Sequence, residues 1–164
     1  MKKFLVVLVA SFNSLLMFGQ SNNLPDVLSV KDALEIFKGG KGVAKSKLAV
    51  MNYKHYTGEC GIYDCWTKNC NYICDEEKVS KFGKGISSVV LIADDGIQIV
   101  VFNKIAFQKL KNQISALGYK KNDAEAGAGT DVYEYYSRNN YPVVKAVDES
   151  WSRRTNYFYI EIWK

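Results

Sequence analysis

Two segments of the chain have the apolar spacing of amphipathic α-helices. In the later segment, apolar residues recur every three or four positions, as on one helix face. These residues are Phe107, Leu110, Ile114 and Leu117. Asn103 can cap the start of this helix, and Gly118 can end it. An earlier, shorter helix is predicted after Ser29, and Gly39 and Gly40 are expected to end it.

Strands are predicted where apolar residues run continuously or alternate with polar ones. Residues 87–93 and 97–102 are almost continuously apolar. Asp95 and Gly96 lie between them, and Asp-Gly between two such runs is typical of a β-hairpin. The continuous runs indicate a hairpin that is covered on both faces. Further strands are predicted over residues 47–56, 132–137, 141–147 and 157–163.

The order of these elements predicts the fold class. Residues 57–85 hold all four cysteines and many polar residues, and are interpreted mainly as an ordered loop. Residues 122–130 are rich in glycine and polar residues and are interpreted as a mobile loop. Short links between successive strands favour antiparallel pairing. We therefore expect one α+β domain, with a mostly antiparallel sheet of about five or six strands, two helices on one face and a disulfide-bearing loop.

The start of the chain has the organisation of a secretory signal peptide. Two lysines precede an apolar stretch at residues 4–10, and small or polar residues suit cleavage after Gly19 or Gln20. An uncleaved membrane anchor is the alternative, but a spanning helix needs about 20 apolar residues and this stretch is shorter. We predict a signal peptide over residues 1–20 and one exported domain over residues 21–164, periplasmic or secreted and without stable membrane insertion.

Composition and charge narrow the possible partners. The chain is 48% hydrophobic and 13% aromatic with two prolines, which is typical of a globular protein and argues against disorder. Its formal net charge of +5 includes Lys2 and Lys3, so signal cleavage leaves about +3. Acidic and basic residues are interspersed, which predicts a mixed solvated surface and no nucleic-acid partner.

Four cysteines, Cys60, Cys65, Cys70 and Cys74, lie within fifteen residues in the pattern C-x4-C-x4-C-x3-C. Four cysteines in one exported domain predict two disulfides that cross-link the loop. Three pairings are possible, and we favour the nested one, Cys60 with Cys74 and Cys65 with Cys70. A structural zinc site is the alternative, but zinc sites usually separate two close pairs by a longer loop, so no metal is expected.

No catalytic motif is found in the sequence. His55 is the one histidine and precedes Cys60 by five residues, so a nucleophilic cysteine–histidine pair is conceivable. However, an exported Cys60 is expected to be oxidised. The sequence motifs of serine hydrolases, zinc proteases, phosphate-binding loops and dinucleotide-binding folds are absent from the sequence. We therefore predict neither catalytic residues nor a cofactor, with a secreted enzyme of unrecognised site as an alternative.

The last predicted strand separates two kinds of side chain. Phe158, Ile160 and Ile162 alternate with aromatic and polar residues that face the other way. Aromatic residues of that second face and of the strand at 132–137 are the candidate binding residues: Tyr133, Tyr135, Tyr157, Tyr159 and Trp163. Tyr141 can extend this set.

Two interpretations of the aromatic face remain open. Cross-strand aromatic pairs can simply stabilise the sheet beneath the cysteine loop. Alternatively, the face is exposed and recognises a protein or a glycan, because tyrosine and tryptophan are favoured in contact surfaces. We predict a non-catalytic, exported binding module that contacts a protein or envelope component through this face. An inhibitor or immunity-type protein that uses the cysteine loop is a further alternative.

Overall fold

A computed structural model of the chain describes residues 24–73, 78–81, 84–122, 125–126, 132–149 and 157–164. The predicted signal peptide and most of the predicted mobile loop lie outside these residues. Helix α1 spans Val30–Val50, and helix α2 spans Lys104–Ala116. Neither helix in the described ranges combines the length and apolar character that crossing a membrane requires.

Eleven strands lie in the described part of the chain. Their bounds are β1 Lys54–His55, β2 Asp64–Lys68, β3 Cys70–Ile73, β4 Lys78–Lys81, β5 Ser88–Ile92, β6 Gly96–Val101, β7 Lys120–Lys121, β8 Glu125–Ala126, β9 Val132–Ser137, β10 Val143–Asp148 and β11 Phe158–Trp163. Nine of them form one sheet in the order β1-β2-β5-β6-β11-β10-β9-β7, with β8 also paired to β9. Strands β3 and β4 form a separate hairpin. All these pairings are antiparallel.

The α+β class and the antiparallel sheet are confirmed, but the predicted sheet was too small. Residues 57–85 were expected to be mainly loop, yet they contribute β2 to the large sheet and form the β3–β4 hairpin. In β2, Cys65, Trp66 and Thr67 are all buried, because this strand is covered on both faces. Its sequence, Asp-Cys-Trp-Thr-Lys, lacks the continuous apolar run by which a buried strand is usually recognised.

Helix α1 is longer than predicted because it continues beyond a glycine kink. Ser29 caps it by accepting a hydrogen bond from the amide of Asp32 at 3.1 Å. Gly40 has a φ of +71°, which glycine tolerates, and the helix resumes after it. Ala44 and Leu48 then bury the continuing apolar face. The strand predicted over residues 47–56 is therefore wrong except for the short β1.

The hairpin and the second helix are confirmed. Every residue of β5 is buried, and β5 pairs with β6 across the turn that contains Asp95. Asn103 caps α2 by accepting hydrogen bonds from the amides of Ile105 and Ala106 at 2.8 and 3.1 Å. Phe107, Leu110 and Ile114 are buried as their spacing predicts.

The large sheet has two unlike faces. Both helices pack on one of them, the helix face, where β11 contributes Phe158, Ile160 and Ile162 to the main hydrophobic core. The opposite side is the open face, towards which Tyr159 and Trp163 of the same strand point. Buried residues of both helices share the main core with this side of β11, which confirms that the two predicted helices lie on one side of the sheet.

The cysteine-rich segment covers one end of the open face. Cys60, Cys65 and Cys70 form a second hydrophobic cluster there with Val89 and neighbouring apolar residues of β5 and β6. Cys65 and Cys70 are buried and neither is disulfide-bonded, so the predicted Cys65–Cys70 bridge is wrong. Cys65 is held opposite Leu91 in the large sheet, whereas Cys70 belongs to the separate hairpin. Cys74 lies outside the described residues, and its pairing with Cys60 stays a prediction.

Candidate functional site

An aromatic groove lies on the open face of the sheet. It consists of two adjoining pockets that share Tyr63 and Gln98. The cysteine-side pocket has a volume of about 480 Å3, and the residues that define it are Tyr63, Tyr72, Phe102, Glu149, Tyr157 and Tyr159. The tryptophan-side pocket has a volume of about 390 Å3, and its defining residues are Ile62, Tyr135, Lys145, Glu161 and Trp163.

The strand register accounts for the row of side chains beneath the tryptophan-side pocket. Gln98, Glu161 and Lys145 lie directly opposite one another on β6, β11 and β10. The Gln98 amide donates to a Glu161 carboxylate oxygen at 2.8 Å, and the Lys145 ammonium lies 3.7 Å from the other oxygen. These contacts hold a polar strip between aromatic residues. Tyr135 and Trp163 stand beside this strip with their ring centroids 6.3 Å apart, edge to face.

The cysteine-side pocket is walled by neighbouring tyrosines. The rings of Tyr157 and Tyr159 are stacked with centroids 6.2 Å apart, since residues two positions apart lie on the same side of an extended segment. Burial raises the pKa of Tyr159, and the negative charges of Glu149 and Glu161 raise it further. The backbone amide of Glu149 donates to the Tyr157 carbonyl at 3.2 Å, which holds this residue and its carboxylate at the wall of the pocket.

The structure brings the five candidate binding residues onto one face. Tyr157 and Tyr159 line one pocket, and Tyr135 and Trp163 line the other. Tyr133 lies on the same face, where the Lys145 ammonium is 4.6 Å from its ring centroid. Their assembly on the open face follows the strand alternation that the sequence predicts.

Tyr141 does not extend this groove as expected. Its ring packs edge to face with Tyr119, and the ammonium of Lys38 on α1 lies 4.8 Å from its centroid. Tyr141 therefore contributes to the contact between α1 and the turn before β10.

Buried thiols and the histidine give no support to a nucleophilic site. Burial, followed by the charges of Cys70 and Asp64, raises the pKa of Cys65 to about 12, so its thiol is protonated at neutral pH. His55 Nε2 contacts Asp64 Oδ1 at 2.5 Å, and its ring centroid lies 4.9 Å from that of Trp66. Asp64 thus orients His55 along the edge of the sheet.

Metal-ligating side chains do not cluster in the described part of the chain. Within those residues, histidine, cysteine and carboxylate side chains form no group of three or more with the arrangement a metal ion needs. Of the four cysteines that the zinc alternative requires, Cys74 lies outside the described residues.

No protein-family model matches this chain, and no curated protein or solved structure is significantly similar to it. The chemistry of the groove is therefore the basis for assigning a function.

Sequence reasoning missed most of the residues that line the groove. Tyr63 and Tyr72 belong to the segment interpreted as a loop, while Phe102 and Glu149 lie just beyond the ends of strands. Gln98 gives the clearest signal, because it is the polar exception in the apolar run 97–102. A polar residue in a strand that is otherwise apolar indicates a face with access to ligand or water.

Proposed function

We propose that the protein is an exported, non-catalytic binding module that holds a protein or an envelope glycan in the aromatic groove. The observation that carries this proposal is the continuity of the two pockets, joined by Tyr63 and Gln98 on one sheet face. Binding sites of this size usually combine an aromatic lining with a few positioned polar groups. Gln98, Glu149 and Glu161 supply such polar groups among the tyrosines.

Packing alone does not account for this face. The cysteine-rich segment covers the open face over β5 and β6, where the second hydrophobic cluster lies. Towards the other end of the groove, Tyr135, Lys145 and Trp163 are only partly buried. Partly buried tyrosine and tryptophan side chains offer apolar area and a hydrogen-bonding group to a partner.

An inhibitor or immunity-type protein is the second candidate function. Ile62 is 76% exposed at the tip of the loop that follows Cys60, beside the tryptophan-side pocket. A large apolar side chain in this position can enter a cleft of a target protein. In that case the loop and the groove would contact the target together, since Ile62 and Trp163 line the same pocket.

The Trp163→Ala variant tests whether the groove is the binding surface. We expect it to reduce recovery of the specific partner from the envelope or secreted fraction by about tenfold, because tryptophan is enriched among binding hot spots. Recovery is measured by quantitative affinity capture with the wild-type protein, Trp163→Ala and Ile105→Ala. Ile105 is an apolar residue on α2, 71% exposed on the opposite side of the sheet.

The matched control decides the result. Ile105→Ala should capture as much partner as the wild type. Equal capture by wild-type protein and folded Trp163→Ala would contradict the proposal. If Trp163→Ala lowers the thermal midpoint markedly, Tyr135→Ser tests the same pocket from the neighbouring strand.

We also propose that one disulfide joins Cys60 and Cys74. Support comes from the states of the cysteines, since Cys65 and Cys70 are reduced whereas Cys60 is not. An exported domain is the setting in which such a bridge persists.

Alkylation tests this pairing by mass spectrometry. Unfolding the protein without reductant should expose Cys65 and Cys70 to iodoacetamide, which would add two labels. Reduction before unfolding should raise the number of labels to four. Four labels without reductant would contradict the bridge, and peptide mapping should find both labels on Cys65 and Cys70.

A further inference from the structure

The cysteine-side pocket has an unusual balance of rings and charge. Five aromatic residues line it: Tyr63, Tyr72, Phe102, Tyr157 and Tyr159. Among the described lining residues, the only charged side chain is Glu149. The pocket therefore combines the negative faces of aromatic rings with a carboxylate, which is the combination that attracts an organic cation.

The neighbouring charges reinforce this preference. Glu161 lies at the adjoining pocket, and both its charge and that of Glu149 oppose ionisation of the Tyr159 hydroxyl. An anionic ligand would meet the same repulsion. Lys145 lies 3.7 Å from Glu161 and offsets part of that charge, but among the described residues that line the cysteine-side pocket Glu149 has no such cation beside it.

The open face already holds one ammonium group over a tyrosine ring. Lys145 Nζ lies 4.6 Å from the ring centroid of Tyr133 while its charge is paired with Glu161 at 3.7 Å. The protein thus already places an ammonium group between a tyrosine ring and a carboxylate. A ligand ammonium in the cysteine-side pocket would have the same two kinds of neighbour. In that pocket the ring would be Tyr157 or Tyr159, and the carboxylate would be Glu149.

We infer that the cysteine-side pocket binds an organic ammonium group, placed against the rings of Tyr157 and Tyr159 and neutralised by Glu149. The inference rests on the proposed function and names the chemistry that the groove recognises. The volume of about 480 Å3 falls in the range of small-molecule sites, so the pocket has room for a methylated ammonium. Leu91 and Val100 form an apolar base that favours methyl groups over water.

Choline and its neutral isostere 3,3-dimethylbutan-1-ol are the probes that test this inference. The two molecules have nearly the same shape and differ in charge. In NMR titrations of the exported protein, choline should shift the resonances of Tyr157 and Tyr159 and saturate in the millimolar range. The isostere should bind about tenfold more weakly, because a desolvated cation–π contact and a carboxylate act only on the charged probe.

Two variants test whether the carboxylate of Glu149 is the group that binds the choline ammonium. Glu149→Gln keeps a hydrogen-bonding group beside Tyr159 and should weaken choline binding about tenfold while leaving the isostere unchanged. Glu35→Gln removes the same charge from α1, on the other side of the sheet, and should leave choline binding unchanged. Thermal unfolding of each variant shows that the fold is retained.

Three outcomes would overturn the inference. Equal binding of choline and the isostere would make the pocket merely apolar, and choline binding that does not depend on Glu149 would remove the carboxylate from the site. The third is the absence of saturable shifts with choline. None of these results would affect the capture experiment with Trp163→Ala, because Trp163 lines the other pocket and is tested with a different partner.

Discussion

Replacing Ile160 with alanine is expected to lower the free energy of unfolding by about 3 kcal/mol. Ile160 is 0% exposed at the centre of β11, directly opposite Ile99 on one side and Ala146 on the other. Removing its side-chain carbons loses apolar burial and leaves a cavity that neighbouring strands cannot close. Urea unfolding followed by circular dichroism measures this change.

The same substitution at an exposed isoleucine is the control. Ile105→Ala removes the same atoms from a side chain that is 71% exposed, and should change the unfolding free energy by less than about 0.5 kcal/mol. If both variants lose the same stability, the assignment of the helix face as the core is contradicted. If the slope of the unfolding free energy against urea concentration is unchanged, both variants expose the same surface area on unfolding as the wild type.

The Glu134→Gln variant is expected to lose about 2 kcal/mol of stability at pH 7. Burial alone would raise the pKa of Glu134, but hydrogen bonds from Lys111, Lys121 and Tyr136 lower it to about 2. The two ammonium groups lie 2.6 and 2.7 Å from its carboxylate oxygens, and the Glu134 side chain is only 13% exposed. These contacts join α2 and β7 to β9.

This loss of stability should depend on pH. The pKa of Glu134 is depressed in the folded protein, so its contribution to stability is present above the ordinary pKa of 4.5 and is lost as pH falls towards about 2. The difference between wild type and Glu134→Gln should shrink to roughly half by pH 3. Urea unfolding at several pH values measures it.

A fully solvated carboxylate provides the comparison. Asp94 is 96% exposed and lies 3.6 Å from the Lys41 ammonium, so Asp94→Asn should cost less than about 0.5 kcal/mol at every pH. A Glu134→Gln penalty that stays constant from pH 7 to pH 3 would contradict an electrostatic origin.

The elements predicted correctly are those whose local sequence and buried environment agree. The β5–β6 hairpin has two apolar runs around Asp95 and Gly96, and both strands are buried in the structure. Helix α2 has a capping residue and a single apolar face, which packs on the sheet. In these segments no long-range contact has to override the local pattern.

The errors arise where distant contacts decide the structure. Gly39 and Gly40 predict the end of a helix, but burial of Leu48 on the sheet stabilises its continuation. Strand β2 is extended because its residues pair with β5, which no local pattern reveals. The thiol states also depend on tertiary placement, since Cys65 and Cys70 belong to different sheets.

The candidate site was predicted only where local strand alternation determines which side chains reach it. Alternation along β11 places Tyr159 and Trp163 on the face opposite the core, and the structure confirms this placement. Tyr72 and Glu149 reach the groove only because separate segments fold towards it. Their contribution depends on the strand order, which cannot be read from residue spacing.

The two lateral borders of the large sheet have a consequence for self-association. A broad sheet with long free margins would offer unpaired backbone groups to a second molecule, the first step of aggregation. Here the outermost strands β1, β7 and β8 are each two residues long, and Lys54, Lys120 and Lys121 are exposed on β1 and β7. Short strands and exposed lysines at a border disfavour its pairing with a strand of a second molecule.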